Sequence, residues 1–161
     1  MIKKGKVFKF GDNIDTDQIY PGRYLELTAH DQIAKHAMEG VDPEFVNNID
    51  KGDIIVAGKN FGCGSSREHA VITLKEAGVN TIIAESFARI FFRNCINLGL
   101  PALICSKITK NVEENDILKV NLKTGLIYNI SNNRKLKGEH LSERILNILK
   151  EGGIKNLLKN S

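Results

Sequence analysis

The stretch DIIVAGKNFGCGSSREHAVITLKEAGVNTIIA, residues 53–84, decides the fold class of this chain. It opens with an apolar run at residues 53–57 that fits a strand buried on both faces, and it closes with a second such run at residues 81–84. Between them, a glycine-rich loop leads into a segment with apolar side chains at helical spacing, which Gly78 ends. This order predicts a strand–helix–strand unit, and therefore a parallel sheet with helices on its faces.

The neighbouring segments extend the same alternation on both sides. Residues 6–10 alternate between polar and apolar side chains and predict a first strand. A helix is predicted to start at Thr28, with an acid three residues later, and to end at Gly40. A further helix over residues 86–98 and a strand over residues 100–105 complete an α/β pattern.

The pattern changes after this α/β region. Residues 116–122 alternate, residues 123–125 form a turn, and residues 126–130 return as the second strand of a β-hairpin. A helical tail over about 139–161 is predicted to break at Gly152-Gly153. With no linker or repeat, residues 1–161 are predicted to form a single domain: a mainly parallel sheet flanked by helices, with a C-terminal hairpin and helix.

Composition excludes several classes of protein. The chain has 161 residues, 42% of them apolar and 26% charged, which argues against disorder. It contains neither an apolar run long enough to span a membrane nor an apolar segment behind the N-terminal lysines, so a cytoplasmic protein is expected. The net charge of +4 comes from scattered lysines, which does not indicate nucleic-acid binding.

The three cysteines, Cys63, Cys95 and Cys105, lie far apart in the sequence, and no Cys-x-x-Cys is present. The four histidines are equally dispersed, so no complete zinc or iron–sulfur site is expected within the chain. Cys95 falls on the apolar face of a predicted helix and Cys105 falls in a predicted strand. Both thiols are therefore expected to be buried and inert.

The loop at residues 62–69 carries the strongest indication of a functional site. Ser65 and Glu68 have the spacing of a capping box. Arg67 would lie in the first helical turn, where the helix dipole disfavours a positive charge, and a bound carboxylate or phosphate would explain its position. The alternative is a simple strand-to-helix turn capped by serine. A phosphate-binding P-loop is disfavoured because its glycine–lysine signature is absent.

A second polar loop, residues 12–21, contains Asp12, Asp15 and Asp17. Three acids in six residues could bind Ca²⁺, but an EF-hand loop needs glycine at its sixth position and glutamate at its twelfth. Counted from Asp12, these places hold Asp17 and Arg23. A solvated turn is the alternative interpretation.

Three motifs together identify a family: GDNIDTDQIYPGRYL, GKNFGCGSSREHA and SFARIFFRNCINLGLP, at residues 11–25, 58–70 and 86–101. With them the chain resembles the small subunits of the isopropylmalate dehydratase and homoaconitase group, which are aconitase relatives split into two chains. The short length is similar to the archaeal-type form. The resemblance implies the swivelling β/β/α fold of the last aconitase domain, and a hydro-lyase that is active only with an iron–sulfur large subunit.

The resemblance also implies how the work is divided between the chains. The [4Fe–4S] cluster would lie on the large subunit, with no cofactor or metal in this chain. Ser65 would be the catalytic base, acting as an alkoxide, and Ser66 and Arg67 would bind a substrate carboxylate. Asp17 would be an active-site aspartate near the large subunit's histidines. Glu68 and His69 would mainly orient the loop.

Four further residues, Tyr24, Leu25, Glu26 and Leu27, would reach the variable end of a 2-hydroxy di-acid substrate. Homoaconitase-type chains have arginine at the position of Glu26, and a carboxylate there would repel a tricarboxylic substrate. The resemblance therefore favours isopropylmalate in leucine biosynthesis. Citramalate, dimethylmalate or a homoaconitase substrate remain alternatives, as does a non-catalytic homologue.

Overall fold

The structure, a computed structural model, describes residues 1–160, and within this range seven strands form one sheet. The strands are β1 Ile2–Lys9, β2 Ile54–Ala57, β3 Thr81–Ala84, β4 Ala102–Ile104, β5 Ile117–Asn121, β6 Leu126–Asn129 and β7 Arg134–Lys137. Their order across the sheet is β4-β3-β2-β1-β5-β6-β7.

The helices join these strands and close the chain. They are α1 Thr16–Ile19, α2 His30–Ile33, α3 Phe45–Asn48, α4 Glu68–Ala77, α5 Arg89–Asn97, α6 Ile108–Asn111, α7 Glu143–Lys150 and α8 Ile154–Lys159. Short 3₁₀ turns occupy Gly22–Tyr24 and Ala34–His36. In this described part of the chain, no helix is both long and apolar enough to cross a membrane.

Strand β1 links two halves of the sheet that differ in strand direction. Its residues 7–9 pair in parallel with β2, which continues in parallel to β3 and β4. Its residues 2–6 pair antiparallel with β5, and β6 and β7 follow antiparallel. The predicted α/β class, with helices on a parallel sheet and a C-terminal hairpin, is confirmed.

The sheet separates two apolar cores because successive strand residues point to opposite faces. In β2, Ile55 packs into one core, whereas Ile54 and Val56 pack into the other. The first core contains the loops that follow β1 and β2. The second core is covered by the predicted C-terminal tail, which supplies Leu146 and Leu149.

Two element predictions need correction. The predicted helix from Thr28 to Gly40 is wrong in extent: α2 is short, its N-cap is Ala29, and a 3₁₀ turn follows it. The chain leaves the helical conformation at Ala37, which has a ψ of 129°, and Met38 follows with a positive φ of 57° and an N–H that donates to the carbonyl of Ile19. Strand β7 was not predicted, since its residues are exposed or half-buried at a sheet edge and show no apolar alternation.

Candidate active site

The loops after β1 and β2 lie side by side, because the carboxyl ends of parallel strands meet at one edge of a sheet. The Gly62 N–H donates to the carbonyl of Ile14, and the Thr16 N–H donates to the carbonyl of Cys63, both at 2.8 Å. The hydroxyl of Thr16 also donates to the carbonyl of Ser65 at 2.8 Å. These bonds bring two motifs, some fifty residues apart in sequence, into one loop pair.

Asp12 and Asp15 serve as hydrogen-bond acceptors that shape this pair. Asp12 Oδ1 accepts the N–H of Lys59 at 2.7 Å, and Asp15 Oδ1 accepts the N–H of Gln18 at 2.8 Å in a capping box for α1. Among residues 1–160, no three His, Cys, Asp or Glu side chains lie close enough to hold a metal ion. The acids of this segment therefore have a structural explanation, and the described residues do not fit a metal or an iron–sulfur cluster.

The third motif, residues 86–101, closes the other side of the loop. The Phe61 N–H donates to the carbonyl of Ser86, and the Ala88 N–H donates to the carbonyl of Phe61. Gly62, with a φ of +84°, lies directly against the ring of Phe91 on α5. All three motifs that identified the family therefore converge at one end of the sheet.

The loop presents Ser65 and Ser66 to solvent just before α4. The predicted capping box of Ser65 with Glu68 is wrong, and neither serine caps the helix. Helix α4 starts at Glu68 with Arg67 as its N-cap, in extended conformation, and no side chain caps it. Because Arg67 is extended, both serines lie ahead of the helix. The first turn of α4 consequently keeps N–H groups that no side chain satisfies.

Arg67 turns back towards the loop after β1. Its Nη1 lies 3.2 Å from Asp17 Oδ1 and donates to the carbonyl of Tyr20 at 3.3 Å. Asp17 Oδ1 also accepts the N–H of Gly22 at 2.9 Å. This N–H and the guanidinium hold the pKa of Asp17 below its ordinary value of 3.8. The side chain of Arg67 is 21% exposed and that of Asp17 is 69% exposed, so the pair lies at the protein surface.

A cavity of about 270 Å³ opens between these loops and α5. Thr16, Ser66 and Arg67 line it from the loops, and Arg89 and Asn94 line it from α5. No acidic side chain of the described residues lines the cavity, which has two arginines at its wall. Its electrostatic character therefore favours an anion such as a carboxylate.

The segment predicted to face the variable end of the substrate is divided by the structure. Leu25 and Glu26 are exposed. The hydroxyl of Tyr24 donates to Glu39 Oε1 at 2.7 Å, and the side chain of Leu27 packs against the first core. Tyr24 and Leu27 thus attach the segment to the protein, and Leu25 and Glu26 are left free to contact other molecules.

Sequence reasoning missed three contributors to the site. Thr16 is buried and bonds to the loop at residues 62–69, and Glu39 binds the Tyr24 side chain. Neither residue type signals such a contact in sequence. Arg89 could have been found, because it occupies the first turn of a helix, the same unfavourable position that drew attention to Arg67.

The cysteines behave as predicted where the structure tests them. Cys95 and Cys105 are buried, and burial raises the pKa of both thiols, so they stay protonated and unreactive. Cys63 is half-buried within the loop at residues 62–69, where its backbone pairs with that of Asp15.

Comparison with known proteins agrees with this geometry. A profile described as the aconitase C-terminal domain matches residues 3–108. A crystal structure of 3-isopropylmalate dehydratase from Methanocaldococcus jannaschii matches with a TM-score of 0.94 and 45% identity, covering 99% of this chain and 95% of that one. The predicted aconitase-like swivelling fold is confirmed by these two likenesses.

Two curated relatives match along nearly their whole length. The 3-isopropylmalate dehydratase small subunit of Clostridium botulinum (strain Eklund 17B / Type B) is 52% identical, covering 99% of each chain. The isopropylmalate/citramalate isomerase small subunit of Methanocaldococcus jannaschii is 54% identical, covering 98% of this chain and 94% of that protein. The chain therefore belongs to the aconitase C-terminal domain family, in the group formed by the 3-isopropylmalate dehydratase small subunits.

Proposed function

We propose that this chain is the small subunit of a two-chain hydro-lyase that interconverts 2-isopropylmalate and 3-isopropylmalate by dehydration and rehydration. One observation carries the proposal: Ser66 and Arg67 line an anion-favouring cavity, with Ser65 beside them in the loop and Asp17 bound to Arg67, in a chain with full-length relatives that are small subunits of this enzyme. The protein would act in the cytoplasm, in leucine biosynthesis.

Ser66 and Arg67 are proposed to bind a substrate carboxylate. Both line the cavity, and Nη1 of the Arg67 guanidinium donates to both Asp17 and the Tyr20 carbonyl. A guanidinium held in place binds a carboxylate with little loss of side-chain entropy. Such binding would place the adjacent carbon of the substrate near the serines.

Ser65 is proposed to remove the proton from the substrate carbon next to that carboxylate. A serine is a poor base unless its alkoxide is stabilised, and two features supply positive potential: the first turn of α4 and the Arg67 side chain. The Ser65 carbonyl is held by the Thr16 hydroxyl, which fixes the backbone from which the catalytic side chain extends.

The second half of the site is proposed to lie on the large subunit. Lewis-acid activation of the substrate hydroxyl is the chemistry that a [4Fe–4S] cluster on that subunit would supply. Asp17 is exposed next to Arg67, and it is proposed to face the partner's catalytic side chains there.

Isopropylmalate is the proposed substrate, since Leu25 and Glu26 are the exposed residues of the segment assigned to the variable end. Leu25 offers an apolar contact for an alkyl group, and the carboxylate of Glu26 opposes a distal substrate carboxylate. Citramalate is a second candidate, because the relative from Methanocaldococcus jannaschii is named an isopropylmalate/citramalate isomerase.

The test is reconstitution with the iron–sulfur large subunit under anaerobic conditions, with isopropylmalate, citramalate and homocitrate assayed side by side. Ser65→Ala should lower kcat by roughly 10³-fold, the range expected for loss of a proton-transfer group, while the complex still assembles. Ser106→Ala, at an exposed serine in the turn after β4, is the control and should keep full activity.

Two results would contradict the proposal. Wild-type turnover in the Ser65→Ala complex would remove Ser65 from the role of base. A clear preference for homocitrate would contradict the proposal that the Glu26 carboxylate opposes a distal substrate carboxylate.

A further inference from the structure

Glu39 binds three side chains with one carboxylate. Its Oε1 accepts the hydroxyl of Tyr24 at 2.7 Å and Nη2 of Arg23 at 3.0 Å, and its Oε2 lies 2.6 Å from Nδ1 of His36. The carboxylate is 24% exposed, so these partners replace much of its water. Arg23 lies sixteen residues and Tyr24 fifteen residues before Glu39, so Glu39 attaches both to a distant part of the chain.

The position of Glu39 is itself fixed by its two neighbours. The Met38 N–H donates to the carbonyl of Ile19, and the Gly40 N–H donates to the carbonyl of Gln18. A side chain at Gly40 would collide with the backbone of Gln18, so this approach requires glycine. Glu39 is thus anchored to α1 on both sides, and its carboxylate is a fixed point for the residues it binds.

Ring stacking reinforces the attachment of Tyr24. The rings of Tyr24 and His36 stack with centroids 3.6 Å apart and planes 14° from parallel. Because Glu39 binds both the Tyr24 hydroxyl and the His36 ring nitrogen, it holds the two stacked rings in register. The Arg23 guanidinium lies over the other side of this cluster, 4.8 Å from the Tyr24 ring centroid.

Tyr20 connects Tyr24 and its partners to the loop at residues 62–69, called the catalytic loop here because it carries Ser65. Its hydroxyl donates to the carbonyl of Tyr24 at 2.6 Å, and its own carbonyl accepts from Arg67. Its ring stacks on His69, which in turn bonds to the carbonyl of Leu27 at 3.0 Å. The segment at residues 21–27 is therefore attached to Tyr20, which accepts from Arg67, and to His69, which stacks on Tyr20.

From these contacts we propose that Glu39 is a positioning residue that fixes residues 21–27 against the catalytic loop and so sets the discrimination between substrates. The attachments leave Leu25 and Glu26 exposed, at the apex of the fixed segment. The inference rests on the proposed function, since that function assigns this segment to the variable end of the substrate. Glu39 acts through Arg23 and Tyr24 and does not touch the substrate.

The first experiment measures Glu39→Gln in the reconstituted complex. Glutamine keeps the size but loses the charge that serves the three donors, so the segment loosens. We expect KM for isopropylmalate to rise on the order of tenfold, because the loss of charged hydrogen bonds weakens the equilibrium that holds the segment in place by at least a factor of ten. The value of kcat should stay within about twofold of wild type. For citramalate, which has a smaller alkyl group, KM should rise less. The preference for isopropylmalate over citramalate, measured as the ratio of their kcat/KM values, should therefore narrow.

A second readout does not depend on activity. Trypsin cleaves after arginine, and the bond between Arg23 and Tyr24 lies inside the fixed segment. In the full chain, Glu39→Gln should speed cleavage at this bond on the order of tenfold relative to wild type. Mass spectrometry of the fragments over time measures the rate. Should Glu39→Gln fail to fold, Tyr24→Phe removes only the hydroxyl that Glu39 accepts, and it should move both readouts in the same direction.

Glu76→Gln is the matched control. Glu76 also pairs with a histidine, His30, at 3.2 Å, but it lies on α4 away from the segment. This variant should leave KM, the substrate preference and cleavage after Arg23 as in the wild type.

The outcomes separate the two claims. Unchanged KM and unchanged cleavage in Glu39→Gln would overturn the positioning role, and so would a lower kcat with unchanged KM. If the wild-type complex does not act on isopropylmalate, the proposed function fails, while the cleavage assay still decides whether Glu39 fixes the segment.

Discussion

Arg67 shows how a single misplaced charge can reveal a site. At the N-cap of α4 a guanidinium faces the positive end of the helix dipole, which is unfavourable. The structure supplies the compensation: Asp17 and the Tyr20 carbonyl both take hydrogen bonds from it. Sequence could predict that Arg67 needed an anionic partner. It could not predict that the resting partner is Asp17, fifty residues away, because nothing in the local pattern encodes that distance.

Glu39 and Thr16 mark the limit of sequence reasoning at this scale. Each contributes through a contact with a residue far along the chain. Neither sits in an unfavourable local position that would call for explanation. Such residues become visible only when the fold brings their partners together.

Replacement of Asp17 by asparagine tests the pairing. Asp17→Asn should lower kcat/KM of the reconstituted complex on the order of tenfold, because Arg67 loses the charge that orients it. The melting temperature should change little, since an exposed ion pair is worth at most ~1 kcal/mol. Steady-state kinetics and thermal unfolding check the two statements, with Asp31→Asn, an exposed acid on α2, as the control.

The same variant makes a pH prediction. The pKa of Asp17 is lower in the folded chain than its ordinary 3.8, so the pair stabilises the fold above that pH and loses this contribution as the pH falls through the folded value. Urea unfolding should therefore show wild type as slightly more stable than Asp17→Asn at neutral pH, by at most ~1 kcal/mol, and this small difference should vanish in strong acid. A difference that grew on acidification would contradict the assignment.

At the scale of elements, the candidate site depends on close contact between the loop at residues 62–69 and α5. Gly62 is buried, has a φ of +84°, and a Cβ there would overlap the ring of Phe91. The same loop carries Ser65 and Ser66 a few residues later. The packing of this loop against Phe91 therefore also determines where the two serines lie.

Gly62→Ala should destabilise the chain by about 2–4 kcal/mol, the sum of overpacking and a strained backbone. Gly11→Ala is the matched control, because a Cβ there meets nothing within 4 Å. Urea denaturation of both variants measures the difference. A Gly62→Ala variant as stable as Gly11→Ala would mean that the loop does not need this contact.

The elements also show where sequence patterns succeed. Strands β2 and β3 are short, apolar and fully buried, so their composition leaves little alternative. Segment 28–40 misled the prediction, because the bond from Met38 to Ile19 is a tertiary contact that outweighs local helical spacing. The exposed edge strand β7 is defined by its pairing with β6, a property that side-chain periodicity does not record.

For the whole molecule, the two cores depend on different parts of the chain. The first core underlies the loops after β1 and β2, whereas the second is covered by α7 with Leu146, Ile148 and Leu149. The family profile ends at residue 108, so the helices that close the second core lie beyond the matched region.

Truncation after residue 137 removes α7 and α8 and should expose the second core. Four buried side chains of the described residues would be lost, Leu141, Leu146, Ile148 and Leu149, each worth about 1.5–3 kcal/mol, so their combined contribution is comparable to the whole stability of a typical domain. We expect an insoluble chain, or one that binds a hydrophobic dye. Truncation after residue 153 removes only α8, which has no fully buried residue, and should stay folded by circular dichroism. Equal behaviour of the two truncations would contradict the role of α7.

Strand β1 has a further consequence for how accurately the site is built. Its register against β5, from Ile2 opposite Asn121 to Lys6 opposite Ile117, is set at the end of the sheet remote from the loops. A slip by one residue would carry Asp17 along by about 3.3 Å, as far as the whole 3.2 Å gap that it bridges to Arg67, and would reverse the faces of β1. The pairing of β1 with β5 thus helps to fix the position of Asp17 relative to Arg67. The accuracy of the candidate site depends on strands that lie away from it.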